Sequence, residues 1–327
     1  MLIVKKFGGT SVANKERIFN VARRCIEDYK AGHDVVVVLS AMGDTTDELI
    51  ELANSINPDA KKRELDMLLT TGEQVSVSLM AMAMQALDVP AVSLNAFQVA
   101  MHATSRYGNA RFKRVDTKRI RHELDSRKIV IVTGFQGVNK YDDITTLGRG
   151  GSDTTAVALA AVLHADKCEI YTDVDGIMTA DPRIEPSAKI LDYCDYEEVF
   201  QMAEKGAKVI HPRAVELAKN GDIVLEIKNT LNPSCKGTRI GLTRDAGGSY
   251  EDFQSRFMTS VAHKDNIAQV KVKSSEALFS KILNEMEEKH INLDMINFFT
   301  EEKAFALDQN NINLVEEILK KNNVEYE

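Results

Sequence analysis

Through the first 230 residues, short unbroken apolar runs alternate with longer stretches that are apolar on one side only. Leu2-Ile3-Val4, Asp34 to Leu39, Lys128 to Thr133, Cys168 to Tyr171 and Ile223 to Ile227 are brief, rich in β-branched residues and apolar at most positions. That is the pattern of strands buried on both faces, which need helices above and below them. The stretches between, about 14–30, 45–56, 60–87, 113–126, 152–164, 195–205 and 211–220, carry apolar residues at helical spacing. Strands alternating with helices predict an α/β fold with a mainly parallel sheet sandwiched by helices. Met80, Met82 and Met84 fall in one of the helical stretches and are expected in the core.

The pattern changes after residue 250. Ala268 to Lys273 alternates like a strand, and Ser275 to Lys289 places Leu278, Ile282, Leu283 and Met286 on one helical face. Ile291 to Phe299 and Ala304 to Leu307 read as strands, Ile312 to Lys321 as a helix, and Val324 to Tyr326 as a last short strand. The order β-α-β-β-α-β predicts a ferredoxin-like unit of about seventy residues.

Composition sharpens this division. Residues 250–327 hold 9 Lys and Arg against 15 Asp and Glu, a net of −6, which leaves −2 of the total −8 for the rest of the 327-residue chain. The Gly-rich segment Asp245 to Tyr250 marks the expected boundary, giving domains 1–245 and 250–327. A net negative charge argues against nucleic acid or an anionic membrane as a partner. No run approaches the ~20 apolar residues of a membrane span. The apolar start, Met1 to Val4, is too short for a signal peptide and is followed by Lys5 and Lys6. Cys25, Cys168, Cys194 and Cys235 are widely spaced with no CxxC pair, so reduced thiols and a cytoplasmic location are expected.

Several segments carry chemistry. Arg149-Gly150-Gly151-Ser152-Asp153-Thr154-Thr155 lies at the mouth of the 152–164 helix. Unpaired N–H groups and the helix dipole favour an anion there, the glycines permit close approach, and Arg149 has the geometry to grip a carboxylate or phosphate with two bonds. A plain Gly-rich turn with a Ser or Asp cap is the alternative reading. Lys6-Phe7-Gly8-Gly9-Thr10-Ser11 follows the first strand, either as a phosphate-holding loop or as an ordinary strand-to-helix turn. Ser40 to Asp47 follows the second strand, with Thr45 or Thr46 as a helix cap or a crevice residue. Glu73 beside Gly72 faces either a pocket or solvent. Tyr171 to Arg183 is dense in carboxylates but fails the calcium-loop pattern, with Ile184 at the twelfth position. Gly206 to Pro212 adds Lys208, and His211 before Pro212 reads as structural. Walker A, HRD and DFG elements are absent from the sequence. Two lysines, an arginine, glycine loops and few general bases form an inventory suited to phosphoryl transfer, where positioning and charge neutralisation dominate.

Taken as an ordered set, Lys6 to Val12, Val38 to Gly43, Thr71 to Glu73, Thr146 to Asp153, Thr172 to Ile177, Asp181 to Arg183 and Gly206 to Pro212 resemble the aspartokinase family of amino acid kinases. The resemblance implies ATP-dependent phosphorylation of the side-chain carboxylate of L-aspartate, giving 4-phospho-L-aspartate on the way to lysine, threonine and methionine. It implies that Lys6 and Asp153 are catalytic. Ser40, Thr46, Glu73, Arg149, Gly150, Gly151 and Ser152 would bind aspartate, Arg149 through the α-carboxylate and Glu73 through the ammonium. Lys6, Phe7, Gly8, Gly9, Thr172, Asp173, Met178, Arg183, Lys208 and Val209 would bind ATP, with Met178 standing where the family often has Tyr. Magnesium is expected on the ATP phosphates without a direct protein ligand. The tail resembles an ACT domain, with Val272 to Ser275 in place of the family's Asp-x-Pro-Gly loop. One such unit is evident where typical members carry two, which implies a homodimer and lysine or threonine as candidate effector.

Overall fold

The computed structural model describes residues 1–207, 209–242, 258–289, 291–299 and 302–327. They form two compact units, Met1–Ala262 and His263–Glu327. The segment expected as the boundary, 245–250, lies outside the described residues.

In the first unit the strands are β1 (Leu2–Phe7), β2 (Asp34–Leu39), β3 (Ala91–Leu94), β4 (Met101–Ala103), β5 (Phe112–Val115), β6 (Ile129–Thr133), β7 (Gln136–Val138), β8 (Ile144–Thr146), β9 (Lys167–Thr172), β10 (Tyr193–Asp195), β11 (Leu225–Asn229) and β12 (Thr238–Gly241). The main sheet runs β10-β12-β11-β9-β1-β2-β6-β3 and is parallel except between β11 and β12. The helices are α1 (Lys15–Lys30), α2 (Thr45–Ile56), α3 (Lys62–Leu69), α4 (Thr71–Gln85), α5 (Lys118–Asp125), α6 (Gly151–Val162), α7 (Tyr196–Glu204) and α8 (Pro212–Gly221).

The two-residue period of a strand explains why both sheet faces are apolar. Val36, Val38, Val130 and Val132 enter one core with the α6 and α8 residues Val157, Leu159 and Val215. Val35, Val37, Leu39, Ile129 and Ile131 enter the other with Val21, Cys25, Val77 and Met80 of α1 and α4. Met80 and Met84 are buried as expected, but Met82 is 60% exposed because helical geometry turns it to the outer side of α4. Helix starts follow local chemistry. Asn14 Oδ1 accepts the Arg17 N–H at 3.0 Å, Asp195 and Glu198 form a capping box on α7, and Pro212 takes the first position of α8.

Two expected helices differ in the structure. The 60–87 stretch divides at Thr70 into α3 and α4, and the Thr70 carbonyl accepts a 2.7 Å bond from Gln136 Nε2. The start of the 113–126 stretch is strand β5, and only its later part is helix α5. β5 pairs with β4 in a small second sheet, β5-β4-β7-β8, so distant partners override the local helical spacing.

The second unit comprises β13 (Ile267–Lys273), α9 (Glu276–Glu288), β14 (Leu293–Phe298), β15 (Lys303–Asp308), α10 (Ile312–Lys321) and β16 (Glu325–Tyr326). Its antiparallel sheet has the order β14-β15-β13-β16, the expected ferredoxin-like, ACT-like arrangement. Val270, Val272, Phe279, Ile282, Phe305, Leu307, Val315 and Ile318 fill the core between sheet and helices. Among the described residues no helix is long and apolar enough to cross a membrane.

Candidate active site

The parallel strands β1, β2, β6, β9 and β11 end at one edge of the main sheet, where loops of small residues converge. After β1, the Gly9 carbonyl accepts the Gly43 N–H at 3.0 Å. A Cβ on Gly9 would lie 2.6 Å from the Ala41 carbonyl oxygen, so the loops after β1 and β2 touch backbone to backbone. The Leu39 carbonyl accepts the Gly134 N–H at 2.9 Å, drawing in the loop after β6. Against Gly134 packs Ser152 of α6, whose Oγ would be 2.5 Å from a Cβ there.

Strand alternation turns Lys5 and Phe7 to one face and Lys6 to the other. Lys6 Nζ lies 2.6 Å from Asp153 Oδ1, with both side chains nearly buried. Asp153 occupies the first turn of α6, where the N-terminal dipole favours its negative charge. The pair therefore fixes an ammonium in front of a helix N-terminus, the place where an anionic group would dock.

Glu73, in the first turn of α4, is buried. Its Oε1 accepts the Ala41 N–H at 3.1 Å, whereas Oε2 has no hydrogen-bond partner among the described residues. Burial pushes its carboxyl up to about 7, opposed by the Ala41 bond. Gly72 permits this approach, since a Cβ on it would meet Ala41 Cβ at 2.8 Å. A buried carboxylate oxygen without a donor is a ready partner for a cation. Ser40 is half-buried in the same loop, and Thr46 is half-buried in the first turn of α2.

Gly150 has φ +67° and caps α6, and the ring of His211 covers it. His211 also accepts the Arg213 N–H through Nδ1 at 3.2 Å at the start of α8, in keeping with a structural reading. Its pKa is lowered by burial and by Arg213, with Asp153 acting in the opposite sense. Arg149 is exposed and makes no hydrogen bond or ion pair to a described residue.

The residues expected around a nucleotide are held less uniformly. Gly8 is close to Lys6, with Nζ 3.7 Å from where its Cβ would be. The Phe7 ring is buried and stacks on Tyr171 at 4.4 Å, which leaves only its backbone for a ligand. Thr172 ends β9 and donates to Asp173 Oδ1 at 3.1 Å. Met178 bridges to Ile190, and its carbonyl accepts from Ser260 Oγ at 2.9 Å. Arg183 pairs with Asp181, Nε to Oδ1 at 3.0 Å. Val209 lines a small apolar hollow with Ile177, Val199 and Met202. Lys208 lies outside the described residues.

Sequence reasoning passed over Asp66 and Gly134. Asp66 is buried and accepts from the Gly108 N–H, the Thr146 N–H and the Thr146 hydroxyl at 2.9, 2.9 and 2.8 Å. These bonds tie α3 to the strand that leads into Arg149. No local pattern announces such a carboxylate. Gly134, by contrast, directly follows an apolar run, the same signal that drew attention to Gly8 and Gly43.

Residues 1–229 match the model of the amino acid kinase family. An aspartokinase of Bacillus sp. (strain MGA3) is 48% identical over 302 residues, spanning 90% of this chain and 71% of that protein. Aspartokinase 2 of Bacillus subtilis is 47% identical over 298 residues with the same coverage. Among solved structures, aspartate kinase from Synechocystis superposes with a TM-score of 0.66 at 36% identity, covering 98% of this chain and 55% of that one. E. coli aspartokinase III in complex with aspartate and ADP gives 0.84 at 25% identity, covering 100% and 85%. The chain thus spans about half of the Synechocystis protein and 71% of the two Bacillus relatives. It belongs to the amino acid kinase family and, within that family, to the aspartokinases.

Proposed function

We propose that the chain is an aspartate kinase that transfers the γ-phosphoryl group of ATP to the side-chain carboxylate of L-aspartate, the first step towards lysine, threonine and methionine. The observation that carries this reading is the pairing of Lys6 with Asp153 at the α6 N-terminus, beside loops that Gly9 and Gly134 allow to pack closely together. Glu73 accepts the substrate ammonium on Oε2, and Arg149 takes its α-carboxylate with two parallel bonds. Ser40, Thr46, Gly150, Gly151 and Ser152 line the amino-acid side. The backbone of Phe7, Gly8 and Gly9 faces the triphosphate, while Thr172, Asp173, Met178, Arg183, Lys208 and Val209 form the nucleotide side.

In the reaction a β-carboxylate oxygen of aspartate attacks the γ-phosphorus, and the bond to the β,γ-bridging oxygen breaks, so ADP leaves with that electron pair. The nucleophile is already ionised and needs no base. Lys6, held by Asp153, neutralises charge on the transferring oxygens, and the α6 dipole adds to it. Magnesium would be carried by the triphosphate and would there offset its charge, since the ion keeps waters and takes few protein ligands. Among the described residues no cluster of His, Cys, Asp or Glu could hold a metal ion by itself.

E. coli aspartokinase III has also been solved with lysine and aspartate. The ACT-like unit here is the proposed seat of a lysine or threonine effector and of pairing with a second copy. The exposed Met295, Ile296 and Phe298 on its edge strand β14 support a pairing role. Four cysteines outside any disulfide, three of them buried, fit a cytoplasmic enzyme.

The test is ATP-dependent ADP release with L-aspartate, L-glutamate and N-acetylglutamate, together with hydroxylamine trapping of the acyl phosphate. Aspartate-dependent hydroxamate is expected. Turnover with another acid but not with aspartate would refute the reading.

A further inference from the structure

A cavity of about 250 Å³ lies on the α1 side of the main sheet, opposite the face that carries Lys6. Arg17, Asn20 and Arg24, at positions i, i+3 and i+7 of α1, line one wall, and the hydroxyls of Ser11 and Thr230 line another. Both arginines are partly exposed, yet neither guanidinium meets a carboxylate of a described residue within ion-pair distance. Each is anchored instead by neutral groups. Arg17 donates to the Thr10 carbonyl, and Arg24 donates to the Asn229 carbonyl at 3.1 Å and stacks over the Tyr171 ring at 5.0 Å. A guanidinium has five N–H donors, so both keep donors beyond these bonds. In a chain of net charge −8, two uncompensated cations sharing one concavity are an unusual concentration of positive potential.

We propose that this cavity is a binding site for a small carboxylate or phosphate anion, distinct from the reaction crevice. Its walls are continuous with the nucleotide side. Arg17 holds the Thr10 carbonyl next to Gly9, Ser11 Oγ shares a 2.6 Å bond with Thr230 Oγ1, and the Thr230 N–H donates to the Thr172 carbonyl at 2.9 Å. An anion that draws Arg17 inward therefore shifts the glycine loop and alters the KM for ATP. That coupling rests on the kinase reading, whereas the anion site itself does not.

The experiment uses the full chain with the crevice filled by aspartate and a nonhydrolysable ATP analogue. Inorganic phosphate and succinate are titrated separately by calorimetry, which separates a tetrahedral from a carboxylate preference. One saturable site per chain is expected for at least one of them. Arg17→Gln should weaken it about tenfold. Asn20→Asp, at an exposed position that leaves the Arg24–Tyr171 stack intact, should weaken it about fivefold by like-charge repulsion. Absence of saturable binding by either anion, or unchanged affinity in Asn20→Asp, overturns the proposal. Aspartate phosphorylation is measured with ATP on the same protein preparation before the analogue is added. Turnover without anion binding removes the site alone, and anion binding without turnover removes the kinase reading alone.

Discussion

The ring of His211 occupies the space that a side chain on Gly150 would need: a Cβ there would fall 2.3 Å from His211 Cβ and 2.4 Å from Cγ. Gly150 also has φ +67°, which costs an L-residue about 1–2 kcal/mol. Gly150→Ala is therefore expected to lower the Tm and to displace the start of α6, reducing kcat/KM for aspartate. Adding His211→Ala should recover only part of the stability, because it removes the contacts with Cγ and Cδ2 but keeps the 2.3 Å contact with His211 Cβ and the backbone cost. A double-mutant cycle by thermal unfolding measures the difference, and strict additivity would show that the ring is not the obstacle.

Lys6 and Asp153 are expected to act as a unit. Lys6→Met and Asp153→Asn should each lower kcat by about a thousandfold, because each removes charge from the transferring group or from its holder. The double variant should be little worse than the weaker single. Single-turnover kinetics check this, and multiplicative losses would mean that the 2.6 Å pair does not work jointly.

Glu73 gives the site a pH signature. Its carboxyl is raised by burial from 4.5 to about 7, so the folded state binds its proton more tightly than the unfolded state does. The folded protein without ligand thus loses stability as pH rises from about 4.5 to about 7, by about 3 kcal/mol at most. Glu73→Gln should flatten that part of the stability profile in denaturant melts. In the kinase reading, the substrate ammonium favours the ionised form, so aspartate binding releases a proton near pH 6. Calorimetry in buffers of different ionisation enthalpy reads that proton, and its persistence in Glu73→Gln would place it on another group.

Arg149 makes no hydrogen bond or ion pair to a described residue and is exposed, so its replacement costs the fold little. Arg149→Ala is expected to raise the KM for aspartate about 10- to 100-fold, with Tm nearly unchanged. A normal KM would show that the α-carboxylate is held elsewhere.

In the second unit, Phe279 is buried and packs edge-on to Phe298 at 5.8 Å and tilted against Phe305 at 6.1 Å. Phe279→Ala should destabilise that unit by about 3–5 kcal/mol. Hydrogen exchange of the β15 amides is the measurement, and unchanged protection would contradict the placement of this core.

The α/β class, the ferredoxin-like tail and the glycine-bearing strand ends were all readable along the chain. Burial on both faces imposes continuous apolar runs such as Val35 to Leu39, and the turns that follow the strands or open helix α6 carry glycine, as at Gly8, Gly9 and Gly150; both patterns show in residues adjacent in sequence. The outward turn of Met82 follows from helical spacing against Met80 and Met84. The small sheet containing β5 and the division at Thr70, by contrast, were not readable, because each depends on a partner far along the chain. The same holds within the site. Lys6, Glu73 and Asp153 stand out by motif, but the contact of Lys6 with Asp153, the bond of the Ala41 N–H to Glu73 Oε1 and the Asp66 tie to Thr146 join positions 32 to 147 residues apart. A distance across the fold is set by how the strands stack and where the helices pack, and only the tertiary structure determines that.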